Sequence, residues 1–179
     1  MAGHRAELPA RTLHEFVASP TCSPEPVLRA ELDLAPAWWT SLRTDLNTIA
    51  AIHTTRVAMR QEWISRAVPQ HAGIPAPEIV NWATAHGDFH FANTTVEPVI
   101  LDWEGFGAAP LGYDAAMLYA YSLLAPATAA TIRRELHILN TPAGNTALLI
   151  VATDLLQSGS RGDHPEPTDP LRALVASLT

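Results

Sequence analysis

His86-Gly87-Asp88-Phe89-His90-Phe91-Ala92-Asn93, followed by Ile100-Leu101-Asp102-Trp103-Glu104, organises the reading of this chain. Thr94-Thr95-Val96 and Val99-Ile100-Leu101 are β-branched or apolar triplets parted by Glu97-Pro98, a pattern that predicts a small β hairpin. Hairpin strands run antiparallel, so the residue before the first and the residue after the second emerge at the same end. Asn93 and Asp102 are therefore expected side by side, with Asp88 on the turn just upstream.

Upstream of the motif, Trp39, Leu42, Leu46, Ile49, Ile52 and His53 recur at three- and four-residue spacing, which predicts an amphipathic helix opening at Pro36, where a missing N–H costs nothing. A second periodic stretch, Val57 to Val68, is expected to end at Pro69. The turn-rich Gly73-Ile74-Pro75-Ala76-Pro77 then leads into a short helix around Glu78 to Trp82. Downstream, Asp114 precedes an apolar run and reads as a helix N-cap. Further helices are expected over Thr128 to Leu139, Asn145 to Gln157 and Leu171 to Leu178. Ser158 to Pro170 has turn composition. Pro9, Pro20, Pro24, Pro26 and Pro36 leave room only for short early helices, such as Thr12 to Ala18 or Pro26 to Leu32.

The expected fold class is thus mainly α with a small β hairpin (α+β). Its parts are an irregular segment 1–36, a lobe over 37–157, and a flexible loop with a terminal helix over 158–179. A chain of 179 residues fits one domain. The net charge of -7 and the scattered arginines argue against a nucleic-acid groove. Cys22 is the single cysteine, which excludes an internal disulfide and suits a reducing cytoplasm. No run of eighteen apolar residues and no signal-like N-terminus occur, so a soluble cytoplasmic protein that does not enter a membrane is expected. The chain contains no lysine.

Phosphoryl transfer to a hydroxyl needs a carboxylate that accepts the departing proton, and oxygen ligands that hold Mg²⁺ against the phosphates. Asp88, Asn93 and Asp102 are those residue types, and the step of five from the aspartate to the asparagine is that of a kinase catalytic loop. His-Gly-Asp-x-His-x-x-Asn, a hairpin, Leu-Asp-Trp-Glu, then Gly-Tyr-Asp before an apolar helix resembles the aminoglycoside phosphotransferase family, over about residues 40 to 125. The resemblance implies the C-terminal lobe of a protein-kinase-like fold, with ATP and Mg²⁺ as cofactors. It makes Asp88 the catalytic base and gives Asn93 and Asp102 the metal. His86 and His90 would brace the loop by hydrogen bonds, and Asp114 would anchor it from the following helix. Glu104 would reach the metal or cap the next turn.

In the family a β lobe upstream carries a glycine-rich loop and a phosphate-pairing lysine. Neither is found here. The Gly-x-Gly of Gly105-Phe106-Gly107 follows the motif and reads as a turn. Arg5, Arg11, Arg29 and Arg43 lie upstream without a strand-like context, and a guanidinium is not a simple substitute for an ammonium. The N-terminal β lobe is therefore expected to be missing. Two functions follow: a small-molecule kinase acting on a hydroxyl acceptor, with the acidic surface suiting a cationic one, or an inactive kinase lobe. The latter would serve as a binding module, or as half of a split enzyme whose partner chain or second copy covers the face a β lobe would occupy.

Other readings are weaker. Asp88-Phe89-His90 also spells the opening of a two-metal phosphoesterase, but no downstream Asn-His or Gly-His pair continues it. Trp38, Trp39, Trp63, Trp82 and Trp103 suit core packing better than a ligand-stacking surface. Arg161-Gly162-Asp163 is a loop tripeptide without adhesion context. His4, His14, His53, His71, His137 and His164 lack metal-ligand spacing.

Overall fold

A computed structural model describes residues 17–178. Six α-helices and one two-stranded sheet make up the regular structure of these residues: α1 (Pro36–Ala50), α2 (Gln61–Ala67), β1 (Trp82–Ala85), β2 (Gly107–Pro110), α3 (Tyr113–Tyr121), α4 (Pro126–Glu135), α5 (Pro142–Ser160) and α6 (Thr168–Ser177). The mainly helical class with a little β structure is as the sequence suggests. Most of the expected helix Thr12 to Ala18 lies outside the described residues.

The sheet itself is not the expected pair of strands. β1 and β2 pair antiparallel from Trp82↔Pro110 to Ala85↔Gly107, so they bracket the whole motif and draw its two ends together. The expected hairpin exists in reduced form inside that bracket. Thr94 and Ile100 form one antiparallel bridge, Thr95 N donates to the Val99 carbonyl at 3.1 Å, and Leu101 N donates to the Asn93 carbonyl at 2.9 Å. A third strand-like piece joins it, because Thr21 bridges Thr95 and Cys22 N donates to the Thr94 carbonyl.

Three local expectations are overturned by tertiary hydrogen bonding. Residues 26–32 are irregular, since Leu28 N donates to the Tyr121 carbonyl, Leu32 N donates to Thr128 Oγ1, and the Glu31 carboxylate accepts from Ala127 N and Thr128 N at the start of α4. Residues 78–81 are irregular, and the Gln61 side chain donates to the Pro77 carbonyl and accepts from Ile79 N in place of a helical pattern. Beyond α2, Pro69 does not stop the chain. It sits in a wide π turn over Val68–Ala72 that closes on Gly73 in the left-handed region, a geometry that tolerates the missing N–H. The sequence also starts the second helix too early, at Val57 instead of Gln61, and α4 ends at Glu135, short of Leu139.

α5 forms the centre of the core: Leu148, Ile150, Val151 and Ala152 are fully buried, and α3 and α6 pack against it. On the other side α1 buries Trp38, Trp39, Leu42 and Ile49, while Ile52 lies past its end and stays exposed. Trp38 Nε1 donates to the Thr95 carbonyl at 3.0 Å and its ring lies near Phe91, so the first long helix clamps the hairpin. Trp82 and Trp103, by contrast, are exposed, which corrects their assignment to core packing.

Trp38→Ala should cost about 3–5 kcal/mol in urea unfolding, as loss of a buried aromatic does. Trp38→Phe keeps most of the packing and strands the carbonyl of Thr95, with an expected cost of about 1–3 kcal/mol.

Candidate functional site

Asp114 is the hub of the motif. It stands in the first turn of α3, with Gly112 at the cap position, and the expected N-cap role is not taken. Instead its buried carboxylate turns outward. Oδ2 accepts from His86 N at 2.7 Å and Oδ1 from Gly87 N at 3.0 Å. Burial raises the Asp114 carboxyl above its ordinary range, and the two amides and nearby His86 pull the other way. Gly87 takes φ +90, and a Cβ there would collide with the Gly105 carbonyl, so only glycine fits between α3 and the turn after Asp102.

His86 links the two halves of the motif. Its Nε2 contacts the Leu101 carbonyl at 2.7 Å and so carries the proton, which leaves Nδ1 to accept from Asp88 N at 3.3 Å. One imidazole thereby orients the backbone beside Asp88 and the backbone just before Asp102. Its ring lies edge-on to Phe89 and Trp103.

Asn93 completes the knot. Its Nδ2 donates to the Asp88 carbonyl at 2.9 Å, while its own carbonyl holds Leu101 N. With the nitrogen engaged, the side-chain oxygen is the end left for another partner. Buried His90 lies 3.6 Å from Asp88 Oδ1 through Nε2, a long polar contact, and 3.4 Å from Asn93 Nδ2. That contact with His90 lowers the Asp88 carboxyl from its ordinary range, against the opposing pull of partial burial, with the charges of His90 and His86 adding to the fall. Asp88 remains half exposed, at 50% of its side-chain surface.

Asp102 is exposed, with a left-handed backbone (φ 56), a conformation that Asp tolerates better than most residues. Among the described residues the Glu104 carboxylate makes no hydrogen bond and caps nothing; its backbone carbonyl accepts from Arg56 Nη2 at 2.7 Å. No three His, Cys, Asp or Glu side chains gather as a metal cage among the described residues. Mg²⁺ commonly takes only one or two protein ligands and completes its shell with phosphates and water, so Asn93 Oδ1 and the Asp102 carboxylate fit it by donor type.

The sequence reading passed over two residues that feel the charge of Asp88. The Tyr121 ring lies 5.3 Å from His90, edge-on. Asp154, on α5, is half-buried. Burial raises its carboxyl, Arg161 opposes this, and the charge of Asp88 adds to the rise. Its signal in the sequence is a lone acid inside the apolar run Leu148 to Leu156. A cavity of about 300 Å³ lies elsewhere, lined by Leu46, Ala50, Ala85, Gly112, Asp114 and Ile138; Asp88, Asn93 and Asp102 do not line it. Among the described residues no helix is long and apolar enough to cross a membrane.

No family model, no curated protein and no solved structure matches this chain.

Asp114→Asn keeps the shape but replaces one accepting oxygen by an NH₂ that faces an amide donor, and it should destabilise by about 1–3 kcal/mol. Asp154→Asn should do the reverse. A carboxyl whose folded-state pKa is raised is favoured in its protonated form, so its burial penalty is absent below the unfolded pKa and grows as pH rises. The melting temperature of Asp154→Asn should match the parent at acid pH and exceed it at neutral pH.

Proposed function

We propose that the chain is the catalytic lobe of a small-molecule kinase of the aminoglycoside phosphotransferase type, transferring the γ-phosphate of ATP to a hydroxyl. The observation that carries this reading is the hydrogen-bonded knot of Asn93 with Asp88 and Leu101. It ties the backbone at Asp88, Asn93 and Leu101 together, and the carboxylate, the amide and the second carboxylate follow along it in the order the resemblance implies. Asp88 is the base: held below the ordinary carboxyl range, it is ionised at neutral pH and accepts the acceptor's hydroxyl proton. Asn93 and Asp102 would hold Mg²⁺, which when bound draws the phosphate oxygens together and offsets charge in transfer. His86 and His90 keep the loop in register, and Asp114 anchors it to α3. The acidic chain suits an amino-bearing, cationic acceptor.

A second reading is a lobe without activity of its own, serving as a binding module or pairing with another polypeptide. It is favoured by the lack of lysine and by the exposure of Val57, Trp82, Val96, Val99 and Trp103, each between 40 and 49%. Light scattering separates the two: a clean monomer that turns over Mg-ATP argues against the binding module.

Calorimetry with Mg-ATP tests the kinase reading directly, and absence of binding at millimolar nucleotide would sink it. Where turnover is measured, Asp88→Ala should abolish it. His90→Ala should move the acidic limb of the pH profile upward, because the contact that lowers the base's pKa is gone.

A further inference from the structure

A nucleotide bearing three phosphates needs a cation beside the metal, and the chain has no lysine to offer. Among the described residues, Arg29, Arg43, Arg134 and Arg172 stand in ion pairs and Arg133 lies over the Tyr119 ring. Arg56, Arg60, Arg66 and Arg161 make no ion pair among the described residues, and of these Arg56 is the one that hydrogen-bonds the turn immediately after Asp102.

Its placement is built by the backbone. Residues 56–59 run along β2: Val57 bridges Ala108 in parallel, Ala108 N donates to the Arg56 carbonyl at 2.9 Å, and Ala58 N and Met59 N both donate to the Ala108 carbonyl at 3.0 Å. Gly107 allows this approach, because a Cβ there would run into Val57 and Ala58. From this edge the guanidinium reaches across to the Glu104 carbonyl and packs 5.9 Å from the Phe106 ring centre. Glu104 lies two residues from Asp102, and the Gly105 carbonyl beside it presses on Gly87, next to Asp88. One of the five donors of Arg56 is therefore spent on orienting the side chain, and the others remain available.

We infer that Arg56 is a phosphate-binding residue, contacting the phosphates of a magnesium nucleotide held at Asn93 and Asp102. The inference rests on the kinase reading. A guanidinium is charged at every working pH, and its planar fork matches two phosphate oxygens at once. Its tether to Glu104 and Phe106 fixes that fork before the nucleotide arrives, so less side-chain freedom is lost on binding.

The test is calorimetry on the full chain with Mg-ATP, Mg-ADP and AMP, comparing the parent, Arg56→Gln, Arg56→Lys and Arg172→Ala. Arg56→Gln retains a donor for the Glu104 carbonyl and much of the side-chain volume, so the fold should survive, with melting temperature as the check. Expected is at least a tenfold weakening of Mg-ATP binding by Arg56→Gln, with a smaller loss for Mg-ADP and the least for AMP. Arg56→Lys should recover part of the loss, and Arg172→Ala should leave all three unchanged. A merely structural role would weaken the three nucleotides alike and so overturn the assignment, as would parent-like Mg-ATP binding by Arg56→Gln; both leave the kinase reading standing. Failure of the parent chain to bind any of the nucleotides overturns the kinase reading and this inference with it.

Discussion

The carboxylate of Asp114 carries the organisation of the motif. Two amide donors in consecutive residues, His86 and Gly87, point at a single buried side chain on α3, and this is what lets the loop turn sharply with Gly87 in a left-handed conformation. Desolvating an acid is unfavourable, and two N–H donors are the compensation the fold supplies. The helix so fixed continues into Tyr121, which lies against His90, so the same element supports the loop at both ends of the His-Gly-Asp-x-His stretch.

Around that hub the polar groups are arranged with little redundancy. His86 has both ring nitrogens engaged, and that double use sets the distance between the Asp88 turn and the strand leading to Asp102. Asn93 repeats the arrangement with a side-chain amide and a backbone carbonyl. Acids crowd the region: the charge of Asp88 adds to the rise at Asp154, and the environments of the two push them in opposite directions. Asp88 has an imidazole and solvent beside it, whereas Asp154 has mainly burial. Divergence of this kind separates a group that is ionised and usable from one whose charge is a cost.

Much of this was legible from residue order. The α1 stripe, the pairing of Asn93 with the strand before Asp102 and the long apolar helix α5 follow from local periodicity and chain reversal, which are short-range properties. What escaped was decided by distant partners. Gln61 holds Pro77 and Ile79 outside a helix, Glu31 occupies donors that a helix over 26–32 would not have reached, and β1 finds β2 across the whole motif. The N-cap reading of Asp114 failed for a related reason, while its expected contact with the loop is present: cap preference describes an isolated helix, and a loop offering two unpaired amides outcompetes it. Arg56 and Asp154 carry no motif at all. Their significance lies in which surface they face, and periodicity does not encode that.

The reach of Glu31 to the start of α4 spans 97 positions, and Leu28 leans on the Tyr121 carbonyl in the same region. A ribosome delivers these partners in sequence, several seconds apart at bacterial-like elongation rates of about 5–20 residues per second. Throughout that interval residues 28–32 have neither a helix of their own nor the groups that will hold them. Assembly of this region therefore waits for the second half of the chain. Until then its apolar side chains stay exposed.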